Sequence, residues 1–290
     1  MRLGRIRAAA VAAIMGVTVL GGTAQVASAA PQAGDLYYDN AGYIMRVPVA
    51  GGTPQRMVKV GGVSVTGIAV TDGRLFWITE AGQTDSLSYV PLGGAPHVRQ
   101  LVGGLPFPDA LVAVGGWLYW VDQDAIGRVR PDGAQLNRRF LVLPQENGGG
   151  VAEGLATDGS HLYFSRCQDG TIGRVDLSGA ALDMSFIRLP GLACPQGLAV
   201  GNDHVYWTEL GGHVGRATLQ GTGAKETWLN IGEGDGPFNL TADGSSLYWD
   251  WGGGAGTPEY VGTARVTGAG VRTHYLLGQG AFLDTAPGAS

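Results

Sequence analysis

Residues 195–209 read Pro-Gln-Gly-Leu-Ala-Val-Gly-Asn-Asp-His-Val-Tyr-Trp-Thr-Glu, and Val214-Gly215-Arg216 follows a few positions later. The stretch contains an apolar run, the turn pair Asn202-Asp203, a β-branched and aromatic run, and then a second short apolar run. Strand-forming runs separated by turn residues are typical of a small antiparallel sheet. Residues 195–216 therefore predict three consecutive antiparallel strands.

The same pattern recurs along the chain. Its aromatic phrase occurs six times, as Leu36-Tyr37-Tyr38, Leu75-Phe76-Trp77, Leu118-Tyr119-Trp120, Leu162-Tyr163-Phe164, Val205-Tyr206-Trp207 and Leu247-Tyr248-Trp249. The first residues of these phrases are 39, 43, 44, 43 and 42 positions apart. A four-stranded unit repeated every ~40–45 residues indicates a β-propeller. A β-sandwich is the alternative all-β fold, but it gives no reason for a fixed period.

The two ends of the chain complete each other. The first unit has no inner strand before Leu36, whereas residues 280–283, after the sixth unit, have the sequence of one. We therefore predict an all-β fold, a six-bladed β-propeller of four-stranded antiparallel blades whose ring is closed by the C-terminal strand. The predicted domain covers residues 30–290.

Residues 1–29 have the features of a secretory signal peptide. A basic region with Arg2, Arg5 and Arg7 precedes an apolar core, and Ala27-Ser28-Ala29 has the form of a cleavage site. Removing this segment changes the formal charge from −5 to −8, which argues against nucleic acid as a partner. No later segment is long and apolar enough to span a membrane. We expect a secreted, extracellular monomer.

The chain has two cysteines, Cys167 and Cys194. In an exported protein such a pair indicates a disulfide. Cys167 follows an aromatic strand and Cys194 precedes the next inner strand, so both are expected at the same face of the ring. We predict that they are bonded to each other.

The repeats resemble a known family. The phrases Tyr206-Trp207-Thr208-Glu209 and Tyr119-Trp120-Val121-Asp122, each followed by a Gly-Arg pair, resemble the YWTD repeats of low-density-lipoprotein-receptor class B propellers. The fourth position departs from that pattern in other units, where it is Asn40, Arg166 or Trp251. More distant resemblances are to virginiamycin B lyase, which has seven blades, and to the six-bladed gluconolactonase and senescence-marker family.

The residues at the starts of four consecutive inner strands all carry side-chain oxygens. They are Asp109, Glu153, Gln196 and Asn239. Calcium prefers six to eight oxygen ligands, and the gluconolactonase resemblance implies one divalent ion held by such residues in the channel. These four residues are the candidate ligands for Ca²⁺. The alternative is that they hydrate a water-filled channel.

Four further residues are expected in the loops that follow the second strands at the same face. His213 is the candidate catalytic base, although it is equally explained as an exposed loop residue. Trp251, Arg166 and Glu80 are candidate ligand-binding residues. Trp251 could stack on a sugar or an aromatic ligand, or it could anchor its own loop to the rim.

Two functions remain open at the level of sequence. The first is a secreted non-catalytic propeller that binds an extracellular protein, a glycan or another cell-envelope ligand, or a small molecule, at the face where the inner strands begin. The second is a divalent-metal-dependent lactonase-type hydrolase or a lyase with its site at the same face. No catalytic motif in the sequence decides between them.

Overall fold

The structure is a computed structural model of the 290-residue chain. It describes residues 34–61, 63–80, 85–93, 97–122, 124–144, 152–191, 193–201, 203–232, 237–251, 260–277 and 284–287. The predicted signal peptide, residues 1–29, and the segment 280–283 lie outside the described residues.

Twenty-four strands form six four-stranded sheets, each made of antiparallel neighbours. Blade 1 contains β1 (Gly34–Asn40), β2 (Tyr43–Pro48) and β3 (Gln55–Lys59), and blade 2 contains β4 (Ser64–Thr71), β5 (Arg74–Glu80), β6 (Ser86–Pro91) and β7 (Arg99–Gly103). Blade 3 contains β8 (Pro108–Val114), β9 (Trp117–Asp122), β10 (Ala125–Val129) and β11 (Asn137–Val142).

Blades 4 to 6 repeat this order. Blade 4 contains β12 (Leu155–Thr157), β13 (His161–Arg166), β14 (Thr171–Asp176) and β15 (Asp183–Arg188), and blade 5 contains β16 (Pro195–Gly201), β17 (His204–Glu209), β18 (His213–Thr218) and β19 (Lys225–Asn230). Blade 6 contains β20 (Leu240–Ala242), β21 (Ser246–Trp251), β22 (Tyr260–Arg265) and β23 (Arg272–Leu277), and it is followed by β24 (Asp284–Pro287).

The ring closes as the sequence predicts. Strand β24 pairs antiparallel with β1 and completes blade 1 in the order β24-β1-β2-β3. The inner strands contact one another around the ring in the order β24, β4, β8, β12, β16 and β20, with β20 returning to β24. The described part of the closing strand begins at Asp284, whereas the segment predicted from the sequence begins at residue 280.

Tryptophans and glycines pair across the second and third strands. Trp207 lies directly opposite Gly215, and a Cβ built on that glycine would lie 2.2 Å from the indole ring. The pairs Trp120–Gly127 and Trp249–Gly262 show the same arrangement. The ring of each tryptophan therefore occupies the space of the missing side chain, which explains why a glycine follows these aromatic phrases at a fixed place in the third strand. All three indoles are buried.

Neighbouring blades are also joined by the tyrosines that precede these aromatics. The Tyr119 hydroxyl of blade 3 donates to the Leu177 carbonyl of blade 4 at 3.3 Å, and Tyr206 of blade 5 donates to the Val266 carbonyl of blade 6 at 3.4 Å. Both bonds lie at the end of the ring where the second strands begin. We call the end of the ring where the inner strands begin the mouth face. The other end, where the second strands begin, is the opposite face.

Candidate functional site

The mouth face gathers polar side chains that are buried. Five polar residues within two positions of the start of an inner strand are each less than 9% exposed: Thr66, Asp109, Glu153, Gln196 and Asn239. Most of the other buried polar residues lie at the same end of the ring, at the ends of second strands or the starts of third strands: Asp39, Asp85, Asp122, Ser165, Arg166, Thr171, Thr208 and Asp250. The four candidate calcium ligands, Asp109, Glu153, Gln196 and Asn239, lie at this face on four consecutive blades.

Close approach of the inner strands sets the positions of these residues. A Cβ on Gly197 would lie 2.7 Å from the Asn239 Cα, and a Cβ on Gly154 would lie 2.3 Å from the Gln196 carbonyl oxygen. Only glycine allows the backbones to approach this closely. Glu153, Gln196 and Asn239 therefore lie side by side on consecutive blades.

Short polar residues of the second strands hold the irregular backbone at the mouth. The Ser165 hydroxyl accepts a bond from Gly154 N at 2.7 Å and donates to the Gln196 carbonyl of the next blade at 2.6 Å. Thr208 accepts a bond from Gly197 N at 2.9 Å in the same way. The inner strand of blade 5 starts with a register shift between Pro195 and Leu198. This shift leaves the backbone amide of Gly197 outside the regular ladder.

In blade 6 a carboxylate takes the place of the hydroxyl. Asp250 accepts bonds from Phe238 N at 3.0 Å, Asn239 N at 2.7 Å and Asn239 Nδ2 at 2.5 Å. The last bond fixes the orientation of the Asn239 amide and directs its oxygen, Oδ1, away from Asp250. The sequence analysis did not identify the role of Ser165, Thr208 and Asp250, although all three precede the last residue of a second strand.

The predicted disulfide is confirmed. Cys167, in a short 3-10 turn (Cys167–Asp169), is bonded to Cys194, just before β16. The bridge therefore ties the mouth end of blade 4 to that of blade 5. Gln196 Nε2 lies 2.9 Å from the Cys194 sulfur, so the bridge also contacts one of the predicted mouth residues.

The candidate ligand-binding residues lie at strand ends rather than in loops. Glu80, Arg166 and Trp251 are the last residues of β5, β13 and β21, because pairing with the third or inner strands continues to the edge of each sheet. His213 is the first residue of β18 and lies opposite Glu209. All four are at the mouth face, on four different blades.

His213 is close to a half-buried carboxyl group, that of Glu209. Burial raises the pKa of Glu209, and the charge of Glu226 raises it further, while the bond from Trp207 Nε1 and the proximity of His213 lower it. The indole nitrogen lies 2.6 Å from Glu209 Oε1. The structure therefore places His213 opposite a carboxyl group whose pKa is raised.

Asp122 occupies the position of Glu209 in blade 3. Burial, and then the charge of Asp124, raises the pKa of Asp122 to about 6, although Arg139 and Arg138 partly offset the rise. The side chain of Asp122 is a methylene shorter than that of Glu209, which accepts a hydrogen bond from Trp207 Nε1. The equivalent nitrogen in blade 3, the buried Trp120 Nε1, has no hydrogen-bond partner among the described residues. A buried carboxyl group with a raised pKa in a concave site is a marker of function.

We expect the substitution Asp122→Asn to stabilise the protein at pH 7.5. The pKa of Asp122 is higher in the folded chain than the ordinary value near 3.9, so the folded state loses stability as the pH rises from about 4 to above 6. Asparagine removes this cost, roughly 2–3 kcal/mol at pH 7.5. Urea unfolding at pH 7.5 and at pH 4.0 measures the difference. An equal effect at both pH values would contradict the prediction.

One exposed residue of the mouth face has a strained backbone. Phe107, immediately before β8, has a φ of 48° and is 47% exposed, and Ala110 in the same segment has a φ of 42°. Residues other than glycine rarely adopt such angles, and structures retain them mainly at functional sites. Asp109 lies between these two residues, so the strain also fixes one of the predicted mouth residues. Nothing in the sequence indicated it.

The described residues contain no group of three or more His, Cys, Asp or Glu side chains arranged to hold a metal ion. The four predicted ligands include only two carboxylates, so a cation at the mouth would need the amide oxygens of Gln196 and Asn239 as well. Among the same residues, no helix is long and apolar enough to cross a membrane.

Comparisons with solved structures agree with the fold. A chain in the crystal structure of a nidogen/laminin complex is 19% identical with a TM-score of 0.65, covering 82% of this chain and 91% of that chain. A gluconolactonase from Xanthomonas campestris is 18% identical (TM-score 0.53; 76% and 83% covered), and a streptogramin B lyase is also 18% identical (0.50; 76% and 91%). No family model and no curated protein matches the sequence.

These similarities support the resemblance seen in the repeats, and at this level of identity they establish the fold alone. The chain is a six-bladed β-propeller with a polar mouth face. Propellers of similar fold include both binding proteins and enzymes, so function must be argued from the mouth itself.

Proposed function

We propose that this protein is a secreted, non-catalytic binding propeller whose mouth face binds an extracellular protein or another component of the cell envelope. The observation that carries the proposal is the concentration of buried polar side chains at this one face. Burying ionisable groups such as Asp122 and Glu153 costs free energy, and the backbone bonds of Ser165, Thr208 and Asp250 do not account for these carboxyl groups at the same end of the ring.

The strained segment around Phe107 supports the same face. An aromatic side chain that is 47% exposed gains little from folding, and its positive φ costs about 1 kcal/mol or more. Leu210, in the turn after β17, is a second apolar residue exposed at the mouth. Aromatic and apolar side chains beside buried polar groups are typical of binding surfaces.

Two further observations support an extracellular role. Residues 1–29 have the features of a signal peptide, and the disulfide Cys167–Cys194 suits an oxidising compartment. The structure of the nidogen/laminin complex includes a propeller of similar fold in an assembly of two proteins. That similarity shows that the scaffold is compatible with binding another protein.

We expect the double substitution Phe107→Ala and Leu210→Ser to lower binding to the cell envelope at least tenfold. Truncation of two apolar contacts at a binding site typically removes several kcal/mol of affinity. The measurement is retention of labelled protein, residues 30–290, by an envelope fraction from the source organism. Melting curves would confirm that the variant is folded.

The matched control is on the opposite face. Leu136 and Val271 are 43% and 39% exposed there, in turns between third and outer strands, and Leu136→Ser with Val271→Ser removes a similar apolar area. This variant should bind as the wild type does. Loss of binding in the control, with binding retained by the mouth variant, would place the site on the wrong face.

A metal-dependent hydrolase or lyase is the second candidate, favoured by the side-by-side arrangement of Glu153, Gln196 and Asn239. With Asp109, these residues would hold a Ca²⁺ ion, which would supply Lewis-acid polarisation of a substrate oxygen. His213, opposite Glu209, would accept or return a proton at the same face. Binding at the mouth requires neither step.

This second candidate predicts stabilisation by calcium. A hundredfold excess of Ca²⁺ over its dissociation constant should add about 2.7 kcal/mol to the free energy of unfolding, and chelation should remove it. Glu153→Gln should abolish the increase, whereas Glu226→Gln, on the outer strand β19, should retain it. If neither calcium, magnesium nor chelator changes the melting curve, the metal site is wrong and the binding proposal stands alone.

A further inference from the structure

The mouth edge of blade 4 carries a row of three hydrogen-bond donors. Arg166 ends β13, Thr171 begins β14 and Arg188 ends β15, and the three residues lie directly opposite one another in the strand register. Residues paired in this way project from the same side of a sheet, and the two arginine backbones are about 10 Å apart across two strand spacings. No other blade has two cations in this row.

The inner part of this row is buried. Arg166 is 6% exposed and Thr171 is 5% exposed, whereas Arg188 is exposed at the edge and donates to the Ser185 hydroxyl at 2.8 Å. Arg166 forms an ion pair with Asp169 through Nη2. The disulfide at Cys167 holds the turn that carries this ion pair against blade 5.

Two polar atoms of the row lack a partner. Within the described part of the chain, neither Arg166 Nε nor Thr171 Oγ1 has a hydrogen-bond partner, and both atoms are buried. A buried guanidinium N–H without an acceptor destabilises the folded protein, because the group has lost its hydrogen bonds to water. An oxygen that accepts from both atoms would remove this cost.

We infer that Arg166 and Thr171 bind a carboxylate group of the ligand, with Arg188 adding attraction from the edge. This inference rests on the mouth face being the binding face and specifies the chemistry that it recognises. A planar carboxylate offers one oxygen to Arg166 Nε and the other to the Thr171 hydroxyl. No covalent chemistry is involved.

The charges around the row favour a carboxylate over a phosphate. The neighbouring mouth positions hold Glu153 and Asp169, and the chain as a whole has a formal charge of −5. A group with a single negative charge experiences about half the repulsion of a phosphate with two. Because Asp169 and Glu153 balance the charges of Arg166 and Arg188, the second charge of a phosphate gains no net attraction, and the directed hydrogen bonds of the row suit a carboxylate.

The test uses acetate, phosphate and chloride as probes at equal ionic strength, with the intact protein and melting temperature as readout. Acetate should raise the melting temperature of the wild type in a saturable way, more than phosphate does, and chloride should have no saturable effect. Thr171→Val should weaken acetate binding about fivefold, and Arg166→Met about tenfold or more.

The control is Arg139→Met, which removes an exposed arginine paired with Asp124 on blade 3. It should leave acetate binding unchanged. Equal shifts with all three anions, or an acetate effect that survives in both Thr171→Val and Arg166→Met, would overturn the inference. Envelope binding that depends on Phe107 and Leu210 in a protein that ignores acetate would overturn this inference alone and leave the proposed binding face intact.

Discussion

A chain from which residues 284–290 have been removed is expected to lose most of its stability and its cooperative unfolding. Strand β24 is the inner strand of blade 1 and contacts the inner strands of both neighbouring blades. Its loss leaves the inner edge of β1, residues 34–37, without its ladder partner and removes the contacts of β24 with β4 and β20. At about 1 kcal/mol for each lost ladder bond, together with the lost packing against the neighbouring inner strands, the cost is about 5 kcal/mol.

Urea unfolding followed by tryptophan fluorescence measures this effect. The truncated chain should show a lower midpoint, and its unpaired β1 edge should promote aggregation. Removing only residues 288–290 leaves β24 in place and should not alter the midpoint. If the longer truncation unfolds with the midpoint and slope of the complete chain, closure of the ring by β24 is wrong.

The substitution Gly197→Ala is expected to destabilise the protein by about 3 kcal/mol. The added Cβ would lie 2.6 Å from the Phe238 carbonyl oxygen and 2.7 Å from the Asn239 Cα, both of which are backbone atoms. A neighbouring side chain could rotate away from such a clash, but these backbone atoms cannot. The inner strands of blades 5 and 6 would have to move apart. Separation would also displace Gln196 and Asn239 at the mouth.

The control for this prediction lies in the same strand. A Cβ on Gly201, the last residue of β16, would lie 3.3 Å from the Ala242 Cβ, so a small shift accommodates it. Gly201→Ala should therefore change the free energy of unfolding by less than about 1 kcal/mol. Equal effects of the two substitutions in chemical denaturation would show that close approach at the mouth does not constrain the ring.

The sequence predicts the fold because the fold is repetitive. Each aromatic phrase is followed by a glycine at a fixed distance, and the structure shows that the two residues pack on each other, as Trp207 does on Gly215. The same regularity predicts which inner-strand residues, such as Glu153 and Gln196, gather at one face. Closure by the C-terminal strand could be predicted because the first unit lacks an inner strand, and the described part of the closing strand, Asp284–Pro287, directly follows the predicted segment 280–283, which lies outside the described residues.

The features that distinguish one blade from another could not be predicted. The raised pKa of Asp122 depends on burial and on the charge of Asp124, and the strain at Phe107 depends on backbone angles. The row of Arg166, Thr171 and Arg188 becomes visible only when three strands are in register. In the sequence these residues are 5 and 17 positions apart, and only Arg166 was a candidate, from its place in the aromatic phrase.

The most direct test of the mouth face as the binding site is oxidative footprinting of the wild-type protein with and without the envelope fraction that retains it. Hydroxyl radicals label exposed side chains, and mass spectrometry locates the labelled residues. We predict that binding protects Phe107 and Leu210 while Leu136 and Val271 remain reactive. Protection of Leu136 and Val271, with Phe107 and Leu210 still reactive, would contradict the account.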